Sequence, residues 1–551
     1  MSRTPWLWLA LVGVLVVPEA GAQDLNLGRE EDLAQLEEHE IAPDLEGVRL
    51  FLVPPGPGEE DVKLARLWAA QLGSNKFSER EAASQKLLAM GLDALAAVEQ
   101  ASKSQDAETR VRARGILLRL NRLREKRDAA LPAVLRTIVR QEMKGLAPEL
   151  LHAARRLPTD AAEQCLQRAL WVSVQPQDAD LLRQALTEGT PAVRRAAALA
   201  LPAALGEEAR EALLPLLTHD DLLLRYAAAQ AVAPLAREAA FETLLQGMQS
   251  EALPERMAAG RVFHHLTGQA LGFVAYDTPA HRGEAITRVQ TWLAQQDAAT
   301  TLRQPLAEGP LPRGRFLLCH FDPYSVSELD ETGRLWFRRQ SVVPEDEAYC
   351  GCAVSPEGHR VLAGFGYVVA FSNRENSAEA WRFAIPETPA AVDRTPQGTY
   401  LVGLFDDSLL REMSATGEVL REVKLAGNPN DVRYLSEDRV LACLYSTKQV
   451  IEIDNTGAVV WKIDNVPPPE SARRLANGNT LVSSTMKVVE YNPAGEEVWS
   501  YNKNIPMAYD ALELPNGNVL IGFRRGLREV DRSGDTVREW PASTVRRICA
   551  Y

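Results

Sequence analysis

The spacing of apolar positions divides the chain into two halves with different periods. From Asp61 to about residue 300, apolar residues recur at helical intervals among Ala, Leu, Arg and Glu, as in helices with one buried face. Ser78-Glu79-Arg80-Glu81 has the form of a capping box that would start a helix, and Gly91 is placed to end it. The pattern repeats. "AVRRAAALAL", "LLLRYAAAQAV" and "PERMAAGRVF" align on Arg195, Arg225 and Arg256 at spacings of 30 and 31, and "ETRVRARGILL" puts Arg112 at the same position. Each unit reads as two short helices, one with a small-residue face that admits close stacking. Such units bury their apolar faces only as an array. His264 and His265 are adjacent, so they point to different faces and do not form the i, i+4 pair a metal needs.

After the Pro/Gly stretch Leu302 to Gly314 the periodicity becomes that of short strands. "RFLLCH", "HRVLAG", "TYLVG", "RVLAC", "NTLVS" and "NVLIG" align on Leu317, Leu362, Leu401, Leu441, Leu481 and Leu520, at spacings of 45, 39, 40, 40 and 39. A repeat near 40 residues made of short strands predicts propeller blades. Turns such as "DETG", "SATG" and "DNTG" end on Gly333, Gly417, Gly457, Gly495 and Gly534, where glycine accepts φ > 0 and the Asx side chain bonds the backbone. They lack the oxygen ligands of a calcium loop. Trp336, Trp461, Trp499 and Trp540 follow four of these turns. The first blade, starting at Arg315, lacks a leading strand, and Thr544–Ile548 resembles "ESARRL" of the fifth. The C-terminus should therefore complete blade one and close a ring of six, removing exposed edges.

The flanks add compartment. Arg3, the apolar run Trp6 to Val17 and Ala20-Gly21-Ala22 form a signal-peptide pattern over residues 1–22, too short to span a bilayer. Export to a periplasmic or extracellular space follows, with no membrane span after cleavage. Residues 23–58, acidic and ending in Pro54-Pro55-Gly56-Pro57-Gly58, read as a linker. The divisions expected are thus a signal at 1–22, a linker at 23–58, a helical array at 59–300, a linker at 301–314 and a propeller at 315–551. A net charge of −13 argues against nucleic acid as a partner. Five of the six cysteines lie in the C-terminal half, so a disulfide there is expected in an oxidising compartment. Cys350-Gly351-Cys352 fits neither a redox CxxC nor a zinc site.

"LGSNKFSEREAASQKLLAMGLDALAAVEQASKSQDAETRVRARGILLRL", Leu72 to Leu120, resembles the HEAT repeats of exported planctomycete-type bacterial proteins. "ARRLANGNTLVSSTMKVVEYNPAGEEVWSY", Ala472 to Tyr501, resembles PQQ-like and NHL-like propeller repeats. These resemblances imply an α-solenoid followed by an all-β six-bladed propeller. Quinoprotein dehydrogenases of that superfamily use more blades and a vicinal disulfide, which Cys350 and Cys352 cannot form. Arylsulfotransferases share a related propeller and use a catalytic histidine; by that resemblance His320 is the candidate, because His359 falls in the turn "PEGHR".

Loops feeding the leading strands should form one channel mouth. Asp431 and Asp510 stand ten residues before their anchoring leucines, Glu470 and Tyr509 lie at or beside the same position, and Arg433 and Arg473 follow two residues after. This polar cluster is the candidate ligand site, or its arginines and carboxylates pair and hold the fold. No GxSxG, HExxH or phosphate loop occurs. The sequence therefore predicts an extracytoplasmic binding or scaffold protein that takes a protein or an envelope ligand, without a cofactor or metal. The alternative is a propeller enzyme working in the channel, PQQ-like or arylsulfotransferase-like.

Overall fold

The computed structural model describes residues 28–54, 56–154, 157, 160–269, 271–296, 302–303, 311, 313–321, 324–340, 349–355, 357–372, 378–436 and 439–551. The signal-peptide pattern at 1–22 lies outside them. A helical region is followed by six four-stranded sheets.

The helical region begins earlier than the periodicity predicts. Residues 23–58 are not a plain linker, since they carry helices Arg29–Glu38 and Leu45–Leu52, the second capped by Asp44 Oδ1 on the Gly47 amide at 2.8 Å. Leu36, Val48 and Leu52 are buried in the same core as Leu131, Leu135 and Leu150. The acidic composition misleads because two of its carboxylates are not solvated: Glu31 and Asp32 are buried among arginines.

Helices Glu59–Gln71, Phe77–Ala89, Leu95–Ala101 and Ala107–Asp128 form a unit with a separate core around Leu72, Leu87, Val98 and Leu120. Ser78 does not cap the second of these, which starts at Phe77. Its N-cap is Lys76, without a side-chain cap; just before it Ser74 Oγ donates to Glu79 Oε2 at 2.6 Å and accepts from the Lys76 amide at 3.2 Å. Gly91 follows at φ +60°. Further on, Ala179–Glu188 pairs with Pro191–Leu205, and Arg237–Gln249 with Leu253–Thr267. The alanine faces, Ala196 to Ala198 and Ala228 to Ala229, are fully buried, so small side chains bring the helices together. The aligned arginines bridge units: Arg195 to Glu163 at 2.7 Å and Arg225 to Glu255 at 2.5 Å.

The propeller has six blades, and its C-terminal strand closes it. Thr544–Ala550 pairs antiparallel with Arg315–Phe321 and is the innermost strand of blade 1. The other inner strands are Tyr349–Val354, Pro389–Arg394, Pro429–Ser436, Pro469–Arg474 and Ala508–Glu513. Each anchoring leucine is buried. In five blades its partner on the third strand is a glutamate: Glu328, Glu412, Glu452, Glu490 or Glu529. These carboxylates are satisfied by neighbours; Glu490, for example, accepts from Asn479 Nδ2 at 2.6 Å and Arg532 Nη1 at 2.8 Å. The asparagines of "ANGN" and "PNGN" are thus glutamate ligands as well as turn residues. The Asx turns form as expected, with Gly333, Gly417, Gly457, Gly495 and Gly534 at φ +80° to +87°. The expected disulfide is absent: all six cysteines are free thiols, and Cys319 and Cys352 donate to backbone carbonyls across blades 1 and 2.

Candidate functional site

One irregularity recurs in every inner strand. The ladder slips between Tyr349 and Gly351, Pro389 and Ala391, Pro429 and Asp431, Pro469 and Ser471, Ala508 and Asp510, and, in the closing strand, between Arg547 and Val545. The extra residues are Cys350, Ala390, Asn430, Glu470, Tyr509 and Arg546. A β-bulge adds one unpaired residue and re-aims its side chain. Here all six line one cavity of about 380 Å³ at the channel mouth. Phe321, Phe365, Phe405 and Tyr445, from the ends of the second strands, form its rim. Phe365 is 45% exposed and Phe321 38%, although both are large apolar side chains. Phe405 and Tyr445 lie 6.2 Å apart at 54°.

The floor is chemically uneven. Asn430 Nδ2 donates to Glu470 Oε2 at 2.7 Å, which orients that carboxylate. Burial, then the charge of Glu470, raises the Tyr509 phenol above its ordinary pKa and keeps it a neutral hydroxyl. Arg546 differs from the arginines around it. No described carboxylate pairs with it, and its Nε, like that of Arg547, is buried without a partner. The mouth therefore offers aromatic edges, an oriented acceptor and a cation whose hydrogen bonds are unspent.

Directly below, side chains one to three residues further along the inner strands do the opposite work. Asp393, Asp431 and Asp510 accept the backbone N–H of Tyr434, Ala472 and Ile548 in the following blade, at 2.8, 3.3 and 2.8 Å. Arg433 donates to Asp431 at 3.1 Å, and Arg473 to Asp510 at 3.0 Å. Arg547 reaches the carbonyls of Asn430, Glu470 and Tyr509 at 2.6, 3.1 and 3.3 Å. Burial opposes ionisation of Asp510, but Arg473, Arg433 and Arg547 together hold it below the usual carboxylate range. Burial raises Asp393, with Arg433 opposing. These side chains plug the channel.

The sequence-predicted cluster is thus split. Glu470 and Tyr509 line the cup, whereas Asp431, Asp510, Arg433 and Arg473 belong to the plug and are spent on inter-blade bonds. Asn430, Arg546 and the aromatic rim are cup-lining positions the sequence reading missed. His320 lies outside the cup: it is buried, with Nε2 2.6 Å from Ser327 Oγ and Nδ1 3.0 Å from Ser543 Oγ. Burial pushes its pKa down to about 4. Both ring nitrogens are engaged in the fold, so His320 is not placed to act on a ligand in the cup. Among the described residues no cluster of three or more histidine, cysteine or carboxylate side chains is arranged to hold a metal.

A family model described as HEAT repeats matches residues 179–263, and one described as arylsulfotransferase matches residues 430–541. The second segment contains no histidine. No curated protein matches the chain. Among solved structures, a protein of unknown function from Bacteroides caccae is 19% identical at a TM-score of 0.38, over 43% of this chain and 97% of its own. A streptogramin B lyase is 14% identical at 0.33, over 42% and 84%. A virginiamycin B lyase from Staphylococcus aureus is 10% identical at 0.32, over 42% and 84%. At these scores the likenesses carry no functional inference.

Proposed function

We propose that this is an exported binding protein whose ligand site is the cup at the propeller mouth, with the helical array as a second interaction surface. The observation that carries the reading is the ring of six bulged residues. A repeated architectural device delivers six chemically different side chains to one cavity, while the residues beneath it keep the ring rigid. Bulges that re-aim side chains are typical next to binding sites, and a cavity of about 380 Å³ lies in the small-molecule range. The chemistry selects a ring-bearing ligand with an anionic or strongly accepting group. The ring lies against Phe321, Phe365, Phe405 and Tyr445, and the acceptor faces Arg546. Export rests on the N-terminal pattern, and the PQQ-like or NHL-like character of the blades on the repeat of Ala472 to Tyr501; no cofactor is assigned.

A second reading has one specific support, the arylsulfotransferase match over residues 430–541. An aryl sulfate would suit both the aromatic rim and Arg546. Against transfer, the described lining of the cup includes no histidine, and within that lining Tyr509 and Glu470, besides the buried thiol of Cys350, are the groups suited to exchange a proton.

One probe separates the two readings. 4-Methylumbelliferyl sulfate titrated into the protein should bind without releasing fluorescent 4-methylumbelliferone, with or without added phenol. Arg546→Ala should weaken binding by about tenfold or more, as expected for a charge-assisted contact, and Phe405→Ala should weaken it less. Release of the fluorophore that Tyr509→Phe or Glu470→Gln abolishes would establish the enzyme instead. Binding indifferent to Arg546 and Phe405 would sink both.

A further inference from the structure

A second cavity, of about 520 Å³, lies between the last helices of the array and the turns of blades 5 and 6. One side is apolar and adaptable, formed by Met248, Met257, Phe263 and Phe273. Thioether side chains fit irregular apolar bodies without a fixed shape. The other side carries Arg256, Arg261 and Arg303, with His264 between.

These cations lack the partners their neighbours have. Arg195 and Arg225, at the equivalent positions of earlier repeats, bind Glu163 and Glu255. Arg256 ends the series and meets only neutral carbonyls, of Ala275, Ser250 and Glu251 at 2.7 to 2.8 Å. Arg261 donates to the carbonyl of Pro515 in blade 6 at 2.7 Å, and no described carboxylate pairs with Arg303. The one carboxylate among the described lining residues, Glu513, accepts from Arg532 at 2.5 Å and lies near enough to Arg261 to favour its charge without bonding it. His264 Nδ1 is buried without a partner. Burial, then Arg303 and His265, hold its imidazole below the ordinary range, so it faces the cavity as a neutral ring.

Arg261 and Arg303 are also seated by glycines. A Cβ on Gly517 would lie 1.7 Å from Arg261 Nη2, and one on Gly268, at φ +70°, would lie 2.6 Å from Arg303 Nη2. The guanidiniums therefore pack closely against the backbone of these glycines. Arg303 is further fixed by its own amide, which donates to the Leu266 carbonyl at 2.9 Å.

We propose that this seam cavity binds an amphipathic organic acid. The carboxylate sits against Arg261, Arg303 and His264 Nδ1, and the aliphatic body rests on the methionines and phenylalanines. The site is independent of the propeller cup and joins array to propeller, because Arg303 and Met257 come from one and Asn477 and Glu513 from the other. Occupancy consequently stabilises the closed arrangement of the two halves.

The test is calorimetric titration of octanoate into the full chain, with acetate and octanamide as head-only and body-only controls. Octanoate should bind and raise the melting temperature, with both controls weaker by about tenfold or more. Arg303→Ala and Arg261→Ala should each weaken octanoate by about fivefold or more, whereas Arg546→Ala in the cup should leave it unchanged. Arg303 is exposed and held through its backbone, so its variant decides the matter even where Arg261→Ala fails to fold. Equal binding of octanamide, sensitivity to Arg546 in place of Arg303, or no octanoate binding at all would overturn the proposal.

Discussion

Arg546 and Arg547 are neighbours in the closing strand, yet one is unspent at the cup floor and the other donates to three carbonyls in the plug. The same division separates Glu470 from Ser471 and Tyr509 from Asp510. It predicts opposite mutational behaviour at adjacent positions. Asp510→Ala leaves Arg473 without its buried counter-ion, and Arg433 with Asp431 alone, and should cost about 3–5 kcal/mol in denaturant unfolding, since breaking a buried pair strands a charge. Tyr509→Ala should cost much less and act on ligand binding. Equal losses at the two positions would refute the division. His320 supplies a pH signature. Its folded pKa, about 4, lies below the ordinary 6.5, so its contribution is intact above pH 6.5 and is lost as pH falls toward 4. The loss amounts to about 3 kcal/mol at one pK unit per 1.4 kcal/mol. His320→Gln should flatten the stability profile in that window, and an unchanged acid limb would show that other groups set it. The alternation of cup and plug was only half legible in sequence. Glu470 and Tyr509 stood out beside an aligned position, but a strand read at strict period two gives no sign of the bulge that turns them into the channel.

Strands and helices were legible to different degrees, and the physical reason differs for each. The six leucine anchors mark the propeller because their faces are buried at a constant repeat, and the turn glycines must take φ > 0. The helices at 29–38 and 45–52 escaped because their composition is acidic and a proline-rich stretch follows, although Asp44 is a good N-cap. Helix recognition from periodicity needs an apolar stripe, and Arg29–Glu38 buries only Leu36 beside its two carboxylates. The closing strand carries the sharpest element-scale prediction. Val545 and Ile548 are fully buried, the ladder runs from Phe316↔Ala550 to Phe321↔Thr544, and the Ile548 amide reaches Asp510. Burial of the two side chains alone is worth about 1.5–3 kcal/mol each. Deleting residues 544–551 removes all of this, together with Arg546 and the Arg547 plug, and opens two strand edges. The propeller should unfold or aggregate during purification; unchanged melting would mean that the ring closes otherwise. A deletion of 29–36, which a linker would tolerate, should here also destabilise, because it removes Leu36's supporting turn and both buried acids.

At the scale of the molecule, those two acids connect everything. Asp32 pairs with Arg136 and Arg140 of the array, each at 2.6 Å, while Glu31 bonds Arg313 and Arg315. Arg315 continues to Glu328 at 2.8 Å and Glu328 to Arg360 at 2.6 Å, carrying the network into blades 1 and 2. Arg313 also lies over the ring of Tyr551, the C-terminal residue, at 5.9 Å. On the other side of the seam, Tyr276 of the array bonds Glu490 of blade 5 and lies 4.7 Å beneath the Arg532 guanidinium. Burial, then the Glu490 charge, lifts that phenol well above its ordinary pKa, so it remains a donor. Both ties are desolvated and join array to propeller through different blades, 1 and 2 in one case and 5 and 6 in the other. The array and propeller should therefore unfold in one calorimetric transition, although they have separate cores. Glu31→Ala takes one carboxylate from each of two buried guanidiniums, leaving Arg315 with Glu328 and Arg313 with Asp32 at 3.5 Å, and should lower the melting temperature on its own. Tyr276→Ala should lower it less, since the Arg532 charge keeps Glu490 and Glu513. The double variant should split the endotherm in two, the helical signal and the strand signal separating in circular dichroism. A single transition surviving in the double variant would place the coupling elsewhere along the seam, with Arg261 and Pro515 the next contact to break.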